Sequence, residues 1–141
     1  MKLFSFVIAI LICTQLFAQQ DYWQQQLRYN IKAELNDKEK SITGFETIVY
    51  KNNSPSTLDF IWFHIWPNAY KNDSTALLQQ IKNDTARVKK KDNIGPGSID
   101  GLAFKVNDQP AKTEPHPNPQ YIDVTKLVLN KPLLPGDSIT I

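Results

Sequence analysis

Alternating apolar and polar positions dominate the chain from residue 29 onward and predict β-strands. Residues 29–35 place apolar side chains at every second position, which is the period of a strand with one buried face. Residues 41–51 are rich in Thr, Ile, Val, Phe and Tyr and predict a second strand, with Gly44 as a candidate β-bulge. Because a turn signal, Asn36-Asp37, lies between them, we expect an antiparallel pair.

Residues 58–66 are apolar at consecutive positions, so both faces of a strand here carry apolar side chains. This pattern predicts a central strand that is covered on both sides and ends at Pro67, which cannot donate to a strand ladder. We therefore expect five of its side chains to be among the most buried in the protein: Phe60, Ile61, Trp62, Phe63 and Ile65.

Helical spacing is convincing only over residues 74–83, where Leu77, Leu78 and Ile81 share one face. Asp73 or Ser74 is the expected N-cap. The polar residues that follow, up to residue 93, predict an exposed loop.

The second half of the chain returns to strand signals. They cover residues 99–106, 121–129 and 138–141, with turn signals at 107–110 and 133–137 and a polyproline-like segment at 115–119. At least five alternating segments with one helix predict an all-β fold, a β-sandwich of antiparallel sheets with one short helix near 74–83. Because the last strand signal runs to Ile141, we expect the domain to be incomplete at its carboxyl end.

The pattern of the first eighteen residues predicts an export signal rather than a part of the folded domain. Lys2 precedes a mostly apolar run over residues 3–17, and Ala18 suits a cleavage site. An uncleaved membrane anchor is the alternative, but the run is shorter than the ~20 apolar residues that a membrane span needs. We expect a signal peptide over 1–18, a mature domain over 19–141, and a periplasmic, cell-surface or secreted location.

The composition of the chain excludes several classes of function. The 16 Lys and Arg residues against 14 Asp and Glu residues give a net charge of +2, too balanced for an electrostatic nucleic-acid binder. The one cysteine, Cys13, falls within the expected signal peptide, which excludes a disulfide framework or a multi-cysteine metal site in the mature chain.

Candidate chemistry is sparse. His64 is expected to be a half-buried, hydrogen-bonded imidazole, and His116 a solvated loop residue, because neither has a metal-ligand partner at a recognisable spacing. The chain contains no H-E-x-x-H motif, glycine-rich phosphate loop or nucleophile elbow. We therefore assign no catalytic, cofactor-binding or metal residue.

An aromatic stripe of Phe60, Trp62 and Trp66 has two interpretations. It fills the core of a sandwich, which we favour, or it forms an exposed platform on which sugar rings stack. Three matches to the N-glycosylation pattern, at Asn52, Asn72 and Asn83, are the number that short polar loops produce by chance.

One segment is more specific than its composition. Residues 58–70, L-D-F-I-W-F-H-I-W-P-N-A-Y, resemble the strand and W-P-N turn in the amino-terminal domain of bacterial zinc metallopeptidases of the aminopeptidase N (gluzincin) family. Residues 29–35 and 43–48 resemble the family's opening hairpin, and residues 52–58 its turn into the next strand. Residues 120–123 and 133–141 resemble a later strand, so that the likeness covers roughly residues 22–141.

The resemblance implies a saddle-like β domain that flanks a separate, thermolysin-like catalytic domain. In the family the zinc ligands, the general-base Glu and the acidic motif that binds the substrate amine lie in that later domain, and no position here matches them. The implied function is the non-catalytic amino-terminal domain of an exported zinc aminopeptidase. Its partner would be its own downstream catalytic domain, which would hold the zinc and act on peptides.

The alternative is a free-standing secreted β-sandwich that binds glycans or a surface partner. The two hypotheses differ in one observable. Buried Trp62 and Trp66 favour the accessory domain, whereas an exposed aromatic platform favours the binding module.

Overall fold

The structure is a computed structural model that describes residues 22–84 and 97–141. The expected signal peptide and most of the expected polar loop, including Lys89-Lys90-Lys91, lie outside these residues. Within the described ranges, no helix is both long enough and apolar enough to cross a membrane.

Strands make up most of the regular structure, and the predicted all-β class with one short α-helix is confirmed. A 3-10 helix, Trp66–Tyr70, follows the third strand. The elements in chain order are β1 (Gln26–Asn36), β2 (Ser41–Lys51), β3 (Leu58–His64), α1 (Ala76–Asn83), β4 (Lys105–Val106), β5 (Gln109–Pro110), β6 (Thr113–Pro115), β7 (Val124–Leu133) and β8 (Ser138–Thr140).

The predicted β1–β2 hairpin is confirmed, and its pairing is regular over the whole length of both strands. The expected bulge at Gly44 is wrong, because Gly44 lies directly opposite Ala33 with no shift in register. The irregularity lies instead between Leu58 and Phe60 in the pairing of β3 with β7.

Two three-stranded antiparallel sheets form the body of the protein, with strand orders β1-β2-β8 and β3-β7-β6. The expectation that residues 58–66 form a central strand is wrong, because β3 lies at the edge of its sheet and β7 is the central strand. The strand predicted over residues 99–106 is also shorter than expected. Only Lys105–Val106 pairs, in a small β4–β5 hairpin whose turn residues Asn107 and Asp108 both have positive φ.

The two sheets share one hydrophobic core. Ile61 from β3 and Leu127, Leu129 and Leu133 from β7 meet Ile139 from β8 there, together with Val106. Apolar side chains from both sheets exclude water from the same volume, which is the main stabilising contribution in a domain of this size.

Burial along β3 follows strand alternation rather than hydrophobicity. Ile61 is buried as predicted, and Phe63 and Ile65 are partly buried. The expected burial of Phe60 and Trp62 is wrong, since these side chains are 40% and 43% exposed. Their face of the β3-β7-β6 sheet is therefore only partly covered within the described residues, although both faces of the strand carry aromatic side chains.

Helix α1 begins at Ala76, one residue later than an N-cap at Ser74 would place its start. Thr75 is the N-cap: its Oγ1 accepts a hydrogen bond from the Leu78 backbone N–H at 3.3 Å and donates to the Ala69 carbonyl at 2.6 Å. The prediction of Asp73 or Ser74 as cap is therefore wrong. A nearly fully buried threonine that bonds both the helix and the preceding 3-10 helix holds these two elements together.

Candidate functional site

The partly exposed face of β3 carries the main cluster of aromatic side chains among the described residues. Phe60 and Trp62 lie on this face with ring centroids 5.7 Å apart in an edge-on arrangement. Beyond the end of the strand, Trp66 lies 4.3 Å from the His64 ring and 6.4 Å from the Tyr70 ring. Trp66 is 55% exposed, so a half-exposed aromatic row runs along β3 and into the 3-10 helix.

His64 is paired with a carboxylate that sequence reasoning missed. Its Nε2 lies 2.6 Å from Oδ2 of Asp123, which is 59 residues away in the chain. The antiparallel pairing of His64 with Val124 brings the residue before β7 to this position, and the Ile65 N–H donates to the Asp123 carbonyl. Asp123 is nearly buried, while His64 is about half exposed.

His116 is part of the same aromatic cluster rather than a solvated loop residue, and that expectation is wrong. Its ring lies 5.3 Å from Trp62 and 4.9 Å from Tyr121, and it is only partly exposed. The Asn118 backbone N–H donates to its Nδ1 at 3.0 Å, which fixes the orientation of the ring. The short strand β6 pairs with β7 and thereby carries the proline-rich segment across the sheet to Trp62.

A groove of about 600 Å³ opens between this cluster and helix α1. A smaller depression of about 360 Å³ adjoins it and shares His116, Tyr121 and Val124. Ring faces and polar groups both line the larger groove. The polar or aromatic side chains among its lining residues are His64, Trp66, Gln79, Gln80, His116, Gln120, Tyr121 and Asp123.

A charged cluster borders the other end of the aromatic row. The Lys126 Nζ lies 4.7 Å from the centre of the Phe60 ring and 3.2 Å from Glu114 Oε2, and Lys112 bonds the other carboxylate oxygen at 2.8 Å. Hydrogen bonds from Lys112 and then Lys126, reinforced by their positive charges, hold the pKa of Glu114 below its ordinary value. Lys126 thus lies over an aromatic face while it remains paired with a carboxylate.

This arrangement offers several kinds of group that can bind a ligand. Ring faces offer stacking surfaces, and imidazole, carboxylate and amide groups offer hydrogen bonds in the same groove. No group of three or more His, Cys, Asp or Glu side chains that could hold a metal ion occurs among residues 22–84 and 97–141. The expectation for His64, a half-exposed and hydrogen-bonded imidazole, agrees with the observed geometry.

Comparison with known proteins adds no neighbour. No family model, no curated protein and no solved structure matches the chain.

Proposed function

We propose that this chain is the non-catalytic amino-terminal domain of an exported zinc metallopeptidase of the aminopeptidase N type, and that it docks against the domain that carries the zinc. One structural observation supports this proposal beyond the sequence resemblance. The β1–β2 hairpin presents a large apolar face that the described part of the chain leaves uncovered.

The strand register defines this face. Residues directly opposite each other in an antiparallel pair lie on the same side of the sheet, and the odd-numbered residues of β1 oppose the even-numbered residues of β2. Ile48 on this side is buried near β8, but β8 pairs only with Val49–Lys51, so the hairpin extends beyond the core. We call its exposed members the apolar hairpin face: Leu27, Tyr29, Ile31, Leu35 and Ile42, which are between 41% and 71% exposed.

A face of this kind is costly to leave in water. Burying one large apolar side chain completely contributes about 1.5–3 kcal/mol, and soluble monomers seldom expose several in one contiguous patch. The opposite side of the hairpin carries Arg28, Lys32 and Glu34 together with the exposed Phe45, whereas Glu46 is the one charged residue on the apolar side, opposite Ile31. The hairpin therefore has one mainly apolar face and one mixed face, and a second domain that packs on the mainly apolar face would remove it from water.

The proposal places zinc and peptide hydrolysis in the downstream catalytic domain, so that no residue of this chain is assigned a catalytic or metal-binding role. The first test is the coding sequence downstream of Ile141. An H-E-x-x-H helix followed by a glutamate ligand would support the proposal, and an open reading frame without one would contradict it.

The second test uses the longer protein. Ile42→Lys places a charge on the apolar hairpin face and should lower both the melting temperature and aminopeptidase activity there. Thr43→Lys is the matched control, because it introduces the same group on the opposite face of the same strand. Equal effects of the two substitutions would show that this face is not the docking surface.

A second candidate function is a glycan-binding module, and one specific observation favours it. Trp62 and Trp66 are 43% and 55% exposed, which is the outcome that favours a binding module over an accessory domain, and Trp66 lines a groove with hydrogen-bonding side chains on which a sugar ring could stack. Titration of the exported protein with soluble oligosaccharides should then quench tryptophan fluorescence. Trp66→Ala should abolish the response, whereas Trp23→Ala, which removes a half-exposed tryptophan that does not line the groove, should retain it.

A further inference from the structure

The outer edge of β1 is a long strand edge whose protection consists of three charged side chains, Arg28, Lys32 and Glu34. β1 is the terminal strand of its sheet, and within the described residues no other strand pairs along its outer side. Its eleven residues contain no proline and its pairing with β2 has no bulge. Such an edge has free N–H and C=O groups that can pair with another strand.

We propose that this edge pairs with the same edge of a second copy, as a two-fold antiparallel dimer centred on Ile31. Neither the zinc-peptidase proposal nor the groove is needed for this inference, because the pairing is made by the edge of the hairpin. The partner is identified by the self-complementary order of charged and apolar residues along β1.

The charges on β1 select this register. When Ile31 lies opposite its own copy, Arg28 lies opposite Glu34 of the second copy, and Glu34 opposite Arg28. Two opposite-charge pairs therefore form by symmetry. Lys32 lies opposite Asn30, so no like charges oppose each other. Directly opposite side chains have Cβ atoms about 4.5–5.5 Å apart, close enough for each ion pair.

The apolar positions agree with the same register. Leu27 lies opposite Leu35 of the second copy and Tyr29 opposite Ala33, so the apolar faces of the two hairpins become continuous. Gln26 lies opposite Asn36 of the second copy, so all eleven residues of β1 take part in the pairing.

Neighbouring registers of the two β1 strands bring less compatible side chains opposite each other. A slip of one residue places apolar-face residues opposite polar-face residues. Centring the pair on Asn30 puts Arg28 opposite Lys32, and centring it on Lys32 puts two Lys32 side chains opposite each other. Like charges in directly opposite positions destabilise a strand pair.

Sedimentation analysis of the exported full chain over a range of concentrations tests the proposal. We expect a monomer–dimer equilibrium whose dissociation constant rises about tenfold or more in Arg28→Glu and in Glu34→Arg, because both symmetric pairs become repulsive. The double variant R28E/E34R should restore the wild-type constant. Lys38→Glu, in the turn outside β1, makes the same charge change as Arg28→Glu and should leave the constant within about twofold.

A cross-linking measurement checks the register independently. Ile31→Cys places the two thiols at the symmetry axis, so that oxidation or a short thiol cross-linker should yield a covalent dimer. Leu35→Cys is equally exposed but lies opposite Leu27, about 27 Å from its copy at ~3.4 Å per residue, and should not cross-link. A chain that is monomeric at every concentration, equal cross-linking of both variants, or a folded double charge variant that fails to dimerise would overturn the proposal.

Discussion

At the scale of single residues, position in the fold decides the role of Asn52. Its sequence context predicts only a turn and a match to the glycosylation pattern, but its side chain is 0% exposed. Its Nδ2 donates to the carbonyls of Ser56 and Leu133, and its Oδ1 accepts from Ser54 and Gln25. A side chain with these bonds has no free amide for a glycan and joins the end of β2 to the end of β7.

We expect Asn52→Asp to destabilise the protein by about 3 kcal/mol, because a carboxylate cannot donate to two buried carbonyls and is itself costly to bury. Urea denaturation of both proteins gives this difference directly. Asn53→Asp is the control, since Asn53 is exposed and makes a single side-chain bond to the Gln24 carbonyl. A similar loss in both variants would contradict the role assigned to Asn52.

The Glu114 carboxylate gives a prediction about pH. Because Lys112 and Lys126 lower its pKa in the folded state, folding favours the ionised form. The stabilisation is complete above the ordinary pKa of 4.5 and is lost as the pH falls through the lowered value. Glu114→Gln should therefore melt slightly below the wild type at pH 7, and the two melting temperatures should converge at acidic pH. A difference that grows on acidification would contradict this assignment.

At the scale of elements, alternation of apolar and polar residues identifies strands more reliably than it shows which strand faces are covered by other parts of the protein. β2 and the β1–β2 turn lie where the pattern predicts them, because local propensity and turn chemistry agree there. β3 was also located, but its place at the sheet edge depends on which strands pair with it, and no local signal carries that information. For the same reason the sequence did not predict the His64–Asp123 pair, which forms only when β3 and β7 are brought together. His116 reaches the cluster for the same reason, through the pairing of β6 with β7.

The two faces of β3 should differ in their contribution to stability. Ile61→Ala removes a buried core side chain and should cost about 2–5 kcal/mol. Trp62→Ala should cost less than the ~3–5 kcal/mol typical of a buried tryptophan, because nearly half of its surface is already in water. Chemical denaturation of both variants decides the order. A larger loss for Trp62→Ala would mean that the outer face of β3 is covered in solution.

The junction of the 3-10 helix and α1 depends on one hydroxyl group. Thr75→Val keeps the shape of the side chain but removes both the cap to Leu78 and the bond to the Ala69 carbonyl, so we expect a loss of about 1–3 kcal/mol. Ser74→Ala, beside it, should change stability by less than about 0.5 kcal/mol, because Ser74 is exposed and does not cap the helix. Thermal melts of the two variants distinguish Ser74, a cap predicted from the sequence, from Thr75, the cap that is observed.

At the scale of the whole molecule, the apolar side of β2 passes from exposed surface at the start of the strand to a well-packed core at its end. Ile48 and Ile42 occupy the same face of the same strand, yet they are 6% and 70% exposed. The difference arises because β8 and the core reach only the end of β2 that contains Ile48. Stability and surface hydrophobicity should therefore respond to different residues along one strand.

The same substitution at these two positions tests that separation. Ile48→Thr should lower the free energy of unfolding by about 2 kcal/mol, because it removes buried apolar atoms and buries a hydroxyl group. Ile42→Thr should change it by less than about 0.5 kcal/mol, since threonine keeps the β-branched shape that suits a strand and the site is already hydrated. Only Ile42→Thr should reduce the fluorescence of a dye that binds exposed apolar surface on the native protein. Denaturation curves and dye titrations on the two variants supply both quantities. Equal destabilisation by the two substitutions would mean that another part of the protein already covers the distal hairpin, and the apolar hairpin face would then not be available for docking.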